Sequence, residues 1–188
     1  MTAMNKETAG VSSGCAYILT VTTKQYESAA VSLFQPSGDA PAFGDDDTDI
    51  IVEERETDVS VSMTTEAQLT TENGRVTILY DETEITGLGN SRTAISFMAD
   101  DPGLVSVIRT GEVRTALVLE KGKHHICTYE TPIMPFEVCT FARKILNTIT
   151  EDGGEMHLDY IVEIRGALAQ RTLLDISLRK AAELPDFT

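Results

Sequence analysis

Glu155-Met-His-Leu-Asp-Tyr-Ile-Val-Glu-Ile-Arg165 is the most regular stretch of the chain, because apolar and polar side chains alternate along it. The apolar set, at every second position, is Met156, Leu158, Tyr160, Val162 and Ile164. A period of two places this set on one face of a β-strand and predicts that Glu155, His157, Asp159, Glu163 and Arg165 mostly face outward. Gly153-Gly154 precedes the run and Gly166-Ala167 follows it. The pattern therefore predicts one strand of a sheet with a single buried face.

The same alternation recurs from Gly14 to Lys180, in short runs that end at Gly, Asn, Asp or Pro. Asn73-Gly74 between two such runs is a strong hairpin signal. No stretch has the period of a long helix. The sequence thus predicts an all-β protein, a single antiparallel barrel of about 8–10 strands that are mostly joined by hairpins. A closed barrel also removes exposed strand edges.

The 188 residues suit one domain, so we expect a single β-barrel over residues 1–188. Residues 1–13 are small and polar, and they predict a flexible N-terminus. Residues 27–57 interrupt the alternation with Pro, Gly and many acids, including Asp45-Asp46-Asp47. Low hydrophobicity and self-repulsion predict that this segment is a mobile acidic insertion.

The charge and the cysteines restrict the cellular setting and the partners. A net charge of −15 repels phosphate backbones and anionic lipid surfaces, so we expect neither a nucleic-acid nor a membrane partner. Three cysteines, Cys15, Cys127 and Cys139, are typical of free thiols rather than of a disulfide framework. The N-terminal residues contain no apolar signal region, and no apolar run would span a bilayer. We therefore expect a location in the bacterial cytoplasm.

An ordered set of strand ends and turns resembles the YwiB-like family, which comprises bacterial proteins of unknown function with a calycin-like barrel. The residues that carry the resemblance include Tyr80-Asp81-Glu82, Gly87-Leu88-Gly89, Ile108-Arg109-Thr110-Gly111, Glu120-Lys121-Gly122, Tyr129-x-Thr131-Pro132 and Leu158-Asp159-Tyr160. The resemblance implies a lipocalin-type barrel with an interior cavity, and it implies no known activity. The 27–57 segment is longer than the family usually carries at that place.

Several polar residues fall on strand faces that are otherwise apolar. Period-two counting places Tyr80, Glu82, Arg109 and Tyr160 inside the barrel. Tyr80, Tyr129 and Tyr160 are expected to surround the Glu82–Arg109 pair near the barrel mouth. A charge on an inner face is costly unless it is paired or hydrated. We therefore predict that Glu82 and Arg109 lie within salt-bridge distance or line the same cavity. The cluster either orients a ligand or forms an ion pair that closes the barrel end.

Other candidate motifs are incomplete. Asp45, Asp47, Asp49, Glu53 and Glu56 have the spacing of calcium ligands in an EF-hand, but Ile50 replaces the glycine of the turn. His125 and Cys127 share a strand face, yet the sequence supplies no further ligands for a metal. Cys139 lacks an adjacent base and is expected to be a buried structural thiol. We expect no metal and no cofactor.

The function favoured by the sequence is a non-enzymatic cytosolic barrel that binds a small, partly apolar molecule. The alternative is an interaction or structural protein whose barrel is filled by its own side chains, and an enzyme ranks third. The sequence leaves the ligand and the oligomeric state open, with a homodimer among the alternatives.

Overall fold

The computed structural model describes residues 16–28, 54–82, 91–111, 113–164 and 169–181, and within these ranges the only long elements are strands. There are ten: β1 (Ala16–Ser28), β2 (Glu54–Glu72), β3 (Arg75–Glu82), β4 (Ser91–Met98), β5 (Leu104–Thr110), β6 (Arg114–Glu120), β7 (His124–Glu130), β8 (Pro135–Asn147), β9 (Gly153–Ile164) and β10 (Ala169–Lys180). The prediction of an all-β fold is confirmed.

The ten strands form one closed antiparallel barrel. Each strand pairs with its neighbours along the chain, and β1 closes the ring by pairing with β10, where Leu19 lies opposite Leu178. The predicted Asn73-Gly74 hairpin joins β2 and β3, and both of its residues have a positive φ, 51° and 78°. The barrel and its hairpin order were thus correctly predicted.

The predicted bounds of the acidic insertion, 27–57, are too wide at both ends. β1 continues to Ser28 and β2 begins at Glu54, so both ends of the predicted 27–57 segment are strand. The interior of that segment and the predicted flexible N-terminus, residues 1–13, lie outside the described residues, as does most of the EF-hand-like spacing. Acid-rich composition hid the strand ends because it breaks the alternation on which the prediction depends.

One end of the barrel, which we call the closed end, is filled by the β8–β9 connection, residues 148–152. Ile149 enters the core with 5% of its surface exposed, and the Tyr17 hydroxyl donates a 2.7 Å hydrogen bond to the Glu151 carbonyl. Above it pack inward side chains with no exposed surface: Leu19, Ile78, Ile95, Val105, Leu119 and Leu158. Burial of such side chains contributes about 1.5–3 kcal/mol each. This half of the barrel is a solid core.

The strands β6 and β7 form the weakest junction of the barrel. Their ladder contains only the pairs Arg114–Glu130 and Thr115–Tyr129. Beyond these pairs the Val118 backbone bonds to side chains instead, because its carbonyl accepts from Thr140 Oγ1 (2.7 Å) and its N–H donates to Cys127 Sγ (3.4 Å). Polar side chains therefore replace part of a backbone ladder.

The alternation along β9 predicts which side chains point outward, but it does not predict how exposed those outward side chains are. Asp159 and Glu163, predicted to face outward, are only 8% and 2% exposed, whereas Ile164, predicted to face inward, is 36% exposed at the strand end. Asp159 is buried because its carboxylate forms two 2.9 Å hydrogen bonds with the Arg171 guanidinium across the outer surface. An ion pair can cover part of a sheet face that hydropathy alone assigns to solvent.

Candidate functional site

Inward side chains change from apolar to polar toward one end of the barrel, which we call the cavity end. There β3, β5 and β9 finish and β4, β6 and β10 begin. The change is visible along four strands: Leu19, Val21, Thr23, Gln25 on β1; Val76, Ile78, Tyr80, Glu82 on β3; Phe97, Ile95, Thr93, Ser91 on β4; and Leu178, Ile176, Leu174, Thr172 on β10. Because neighbouring strands run in opposite directions, these polar positions converge at one level.

Glu82 and Arg109 meet at this level, as the sequence predicted. They lie on β3 and β5, on either side of β4, where Thr93 is opposite both Tyr80 and Arg109. Arg109 donates to Glu82 Oε1 from Nη2 (2.7 Å) and Nε (3.1 Å), and Thr93 Oγ1 donates to the same oxygen (2.7 Å). The Glu82 side chain is 3% exposed and that of Arg109 25%. A buried carboxylate needs such a cation and donors to offset its lost hydration.

The second oxygen of Glu82, Oε2, is buried and has no hydrogen-bond partner among the residues that the structure describes. An ionised carboxylate has about four lone-pair sites, and here three donors converge on one oxygen while the other receives none. Buried polar atoms in folded proteins are almost always satisfied, since an unsatisfied one costs about 1–3 kcal/mol or more when charged. This oxygen is therefore the natural acceptor for a donor group that enters the barrel.

A cavity of about 150 Å³ lies beside the pair. Its inner part is apolar and its outer part polar, and its lining residues are Val21, Thr23, Gln25, Val61, Met63, Tyr80, Glu82, Thr93, Val107, Arg109, Thr115, Leu117, Tyr160, Thr172 and Leu174. Glu82 and Arg109 are the only charged side chains among them. A dry cavity of this volume holds a molecule of about the size of benzene, so the space suits a small ligand.

Both tyrosines of the cavity remain protonated over the ordinary pH range. Burial raises the pKa of Tyr80, and the neighbouring Glu82 charge raises it further. Burial also raises the pKa of Tyr160, although a hydrogen bond with Thr172 and the Arg109 charge act against this rise. Each phenol is thus a neutral hydroxyl that can donate or accept a hydrogen bond.

Alkaline titration should show these raised pKa values. The folded protein favours the protonated phenols, so the stability they contribute is complete below the ordinary tyrosine pKa of about 10 and is lost as pH rises above it. We expect at least two of the five tyrosines to ionise only as the protein unfolds. Ultraviolet absorbance follows the ionisation and circular dichroism follows the unfolding in the same titration. Tyr80→Phe should remove one ionisation from that step. Ionisation of all five near pH 10 in folded protein would contradict the burial of the phenols.

Four of the five residues proposed from sequence, Tyr80, Glu82, Arg109 and Tyr160, line this cavity. Tyr129 does not line it: its ring stacks on Phe136 with centroids 4.9 Å apart, across the β7–β8 hairpin. The sequence prediction had placed Tyr129 with Tyr80 and Tyr160 around the Glu82–Arg109 pair, and for Tyr129 this was wrong. The prediction also missed the lining hydroxyls, above all Thr93, whose signal was the polar end of each inward row.

The remaining sequence candidates have other surroundings. Cys127 and Cys139 are buried thiols that form no disulfide. Burial raises the pKa of Cys139, with the Glu163 charge adding to the rise, which makes its thiol less reactive. Cys127 Sγ bonds to the β6 backbone, and His125 Nε2 lies 3.4 Å from Glu120 Oε2. Over the described part of the chain, no three His, Cys, Asp or Glu side chains are grouped so as to hold a metal ion.

The comparisons with known proteins place this barrel in a family. A family model described as "Domain of unknown function (DUF1934)" matches residues 48–176, which is well over half of the chain. The chain belongs to the DUF1934 family. A comparison with curated proteins finds no match. The match covers most of the barrel strands, from β2 to β10, and all but three of the residues that line the cavity.

A solved structure similar to this DUF1934 barrel is the crystal structure of the YwiB protein from Bacillus subtilis. The TM-score is 0.60 at 16% sequence identity, over 89% of this chain and 94% of that chain. Together with the family match, this confirms the resemblance to the YwiB-like family. At this identity the structural similarity by itself establishes the fold alone. Among the residues that the structure describes, no helix is both long and apolar enough to cross a bilayer.

Proposed function

We propose that this DUF1934 barrel is a small-molecule-binding protein without catalytic activity, and that its ligand occupies the cavity beside Glu82 and Arg109. The observation that carries the proposal is the buried Oε2 atom of Glu82, which has no hydrogen-bond partner among the described residues, on a side chain that lines a ligand-sized cavity. A barrel that served only as a structural or interaction module would gain stability from an apolar pair at this place. A hydrogen-bond donor on a ligand would account for the buried Glu82 carboxylate, because Oε2 can accept from it.

The arrangement of the cavity also supports binding rather than catalysis. Thr93 and Arg109 hold Glu82 Oε1 on rigid, fully paired strands, so a ligand meets a preorganised acceptor. The two tyrosines are neutral, and burial raises the pKa of each. A general base or nucleophile would instead need a phenol pKa lowered toward neutral pH.

The test compares protein purified without added ligand with the same protein after unfolding, dialysis and refolding. A ligand at about 100 times its Kd stabilises the folded state by about 2.7 kcal/mol, and for a domain of this size that raises Tm by roughly 5–10 °C. We expect the purified sample to melt higher and to show an added small mass in native mass spectrometry. Equal melting and an unliganded native mass would count against the proposal.

An interaction function is the second candidate, because the β7–β8 hairpin exposes apolar side chains. Ile126 is 68% exposed, Ile133 91% and Met134 60%. Exposed apolar groups of this kind are typical of contact surfaces. If a homodimer forms through the hairpin, replacing Ile133 and Met134 by Ser should convert dimer to monomer in sedimentation velocity, with Leu146→Ser on the far end of β8 as the exposed control.

A further inference from the structure

The charge balance of the cavity restricts the class of ligand that it can take. Glu82 carries one negative charge and Arg109 one positive charge, and the other lining residues of the described barrel are uncharged. The pair is neutral as a unit, so a charged ligand would bring an uncompensated charge into a site of low dielectric constant. An ammonium group at Oε2 would in addition lie close to the Arg109 guanidinium and be repelled by it.

The hydrogen bonds restrict the ligand further. Oε1 of Glu82 already accepts from Thr93 and twice from Arg109, whereas Oε2 accepts from none of the described residues. The ligand must therefore carry a donor for Oε2, either a hydroxyl or an amide N–H. Tyr80, Tyr160 and Thr115 line the same cavity, and their hydroxyls can donate to an acceptor on the same ligand group.

The shape of the cavity indicates the form of the rest of the ligand. Below the polar level the walls are methyl and methylene groups of Val61, Met63, Val107 and Leu117, which favour an apolar body pointing toward the closed end. A volume of about 150 Å³ accommodates a body close to a six-membered ring. Long lipids would not fit in this space.

We infer that the cavity takes an uncharged molecule of about ring size, with an apolar body and one hydroxyl or amide N–H that donates to Glu82 Oε2. This inference rests on the proposed binding function and specifies its ligand. It assigns Glu82 as the residue that selects the ligand and Arg109 as the residue that positions Glu82.

Four probes on one carbon skeleton test the inference at neutral pH. Cyclohexanol is neutral with a donor, cyclohexanone is neutral without one, cyclohexylamine is cationic, and cyclohexanecarboxylate is anionic. Binding is followed by the NMR shift of the Met63 methyl group, which lines the cavity. We expect cyclohexanol to bind about tenfold or more tightly than each of the other three, because only it satisfies Oε2 without adding charge.

Two variants then test whether the preference for cyclohexanol depends on Glu82. Glu82→Gln offers an amide that can donate, so it should bind cyclohexanone at least as tightly as cyclohexanol. Asp81→Asn, the matched control on the exposed face of the same strand, should keep the original order. Tighter binding of the ammonium or the carboxylate in the natural protein would overturn the ligand class and leave the binding function standing. If no probe shifts Met63, the ligand class is overturned, whereas the binding function falls only if the purified protein also has an unliganded native mass; the comparison in the natural protein remains decisive even if Glu82→Gln does not fold.

Discussion

Replacing Arg109 by methionine is expected to destabilise the protein by about 3–5 kcal/mol, because it leaves the Glu82 carboxylate buried without its cation. Arg109 supplies two of the three hydrogen bonds to Glu82 Oε1, and Glu82 is 3% exposed. Methionine keeps most of the aliphatic volume, so the loss reports on charge rather than on packing. Urea unfolding followed by circular dichroism measures the change.

A double variant and a surface control separate this effect from general damage. Glu82→Gln combined with Arg109→Met should recover part of the loss, since it removes the uncompensated charge. Arg92→Met removes a similar arginine one strand away, whose pair with Asp81 is exposed to solvent, and should change stability little. If Arg109→Met were no more destabilising than Arg92→Met, the pair would not be buried in solution as it is in the structure.

The fold was predictable because period-two alternation and turn residues are local signals. The run 155–165 and the Asn73-Gly74 turn each specify strand or hairpin without reference to the rest of the chain. Burial of the outer face was not predictable in this way. Asp159 is covered because Arg171 on the next strand reaches it, and such a contact depends on register between strands.

The candidate site was predictable in its charged residues and less so in its walls. Glu82 and Arg109 stood out because each breaks an apolar row, and the structure joins them at 2.7 Å. Threonines such as Thr93 and Thr172 gave a weaker signal, a polar end to an inward row, since threonine is common on either face of a strand. Tyr129 was placed with the other tyrosines because the sequence did not reveal that its ring stacks on Phe136, although the residue lies opposite the cavity-lining Thr115.

Gly154→Ala is expected to be the other strongly destabilising change, at about 2–5 kcal/mol, because the closed end has no room for a Cβ atom. Gly154 has φ +140°, and an added Cβ would lie 2.5 Å from the Thr148 carbonyl oxygen and 2.9 Å from Ile149 Cα. Both neighbours are backbone atoms of the segment that fills the barrel, so relief requires moving that segment outward. Ile149 would then leave the core.

Gly122→Ala is the matched control for this prediction. Gly122 also has a positive φ, +73°, but nothing lies within 4 Å of the position that a Cβ would take. The Gly122→Ala substitution should therefore cost only the backbone strain of alanine at a positive φ, about 1 kcal/mol of stability. The excess for Gly154→Ala in urea unfolding then measures the steric closure of the barrel. Hydrogen exchange should show the gain in opening at Thr148 and Thr150, whose amides bond across the turn to Glu155 and Gly153. Equal costs for the two variants would mean that residues 148–152 move aside freely and do not brace the closed end.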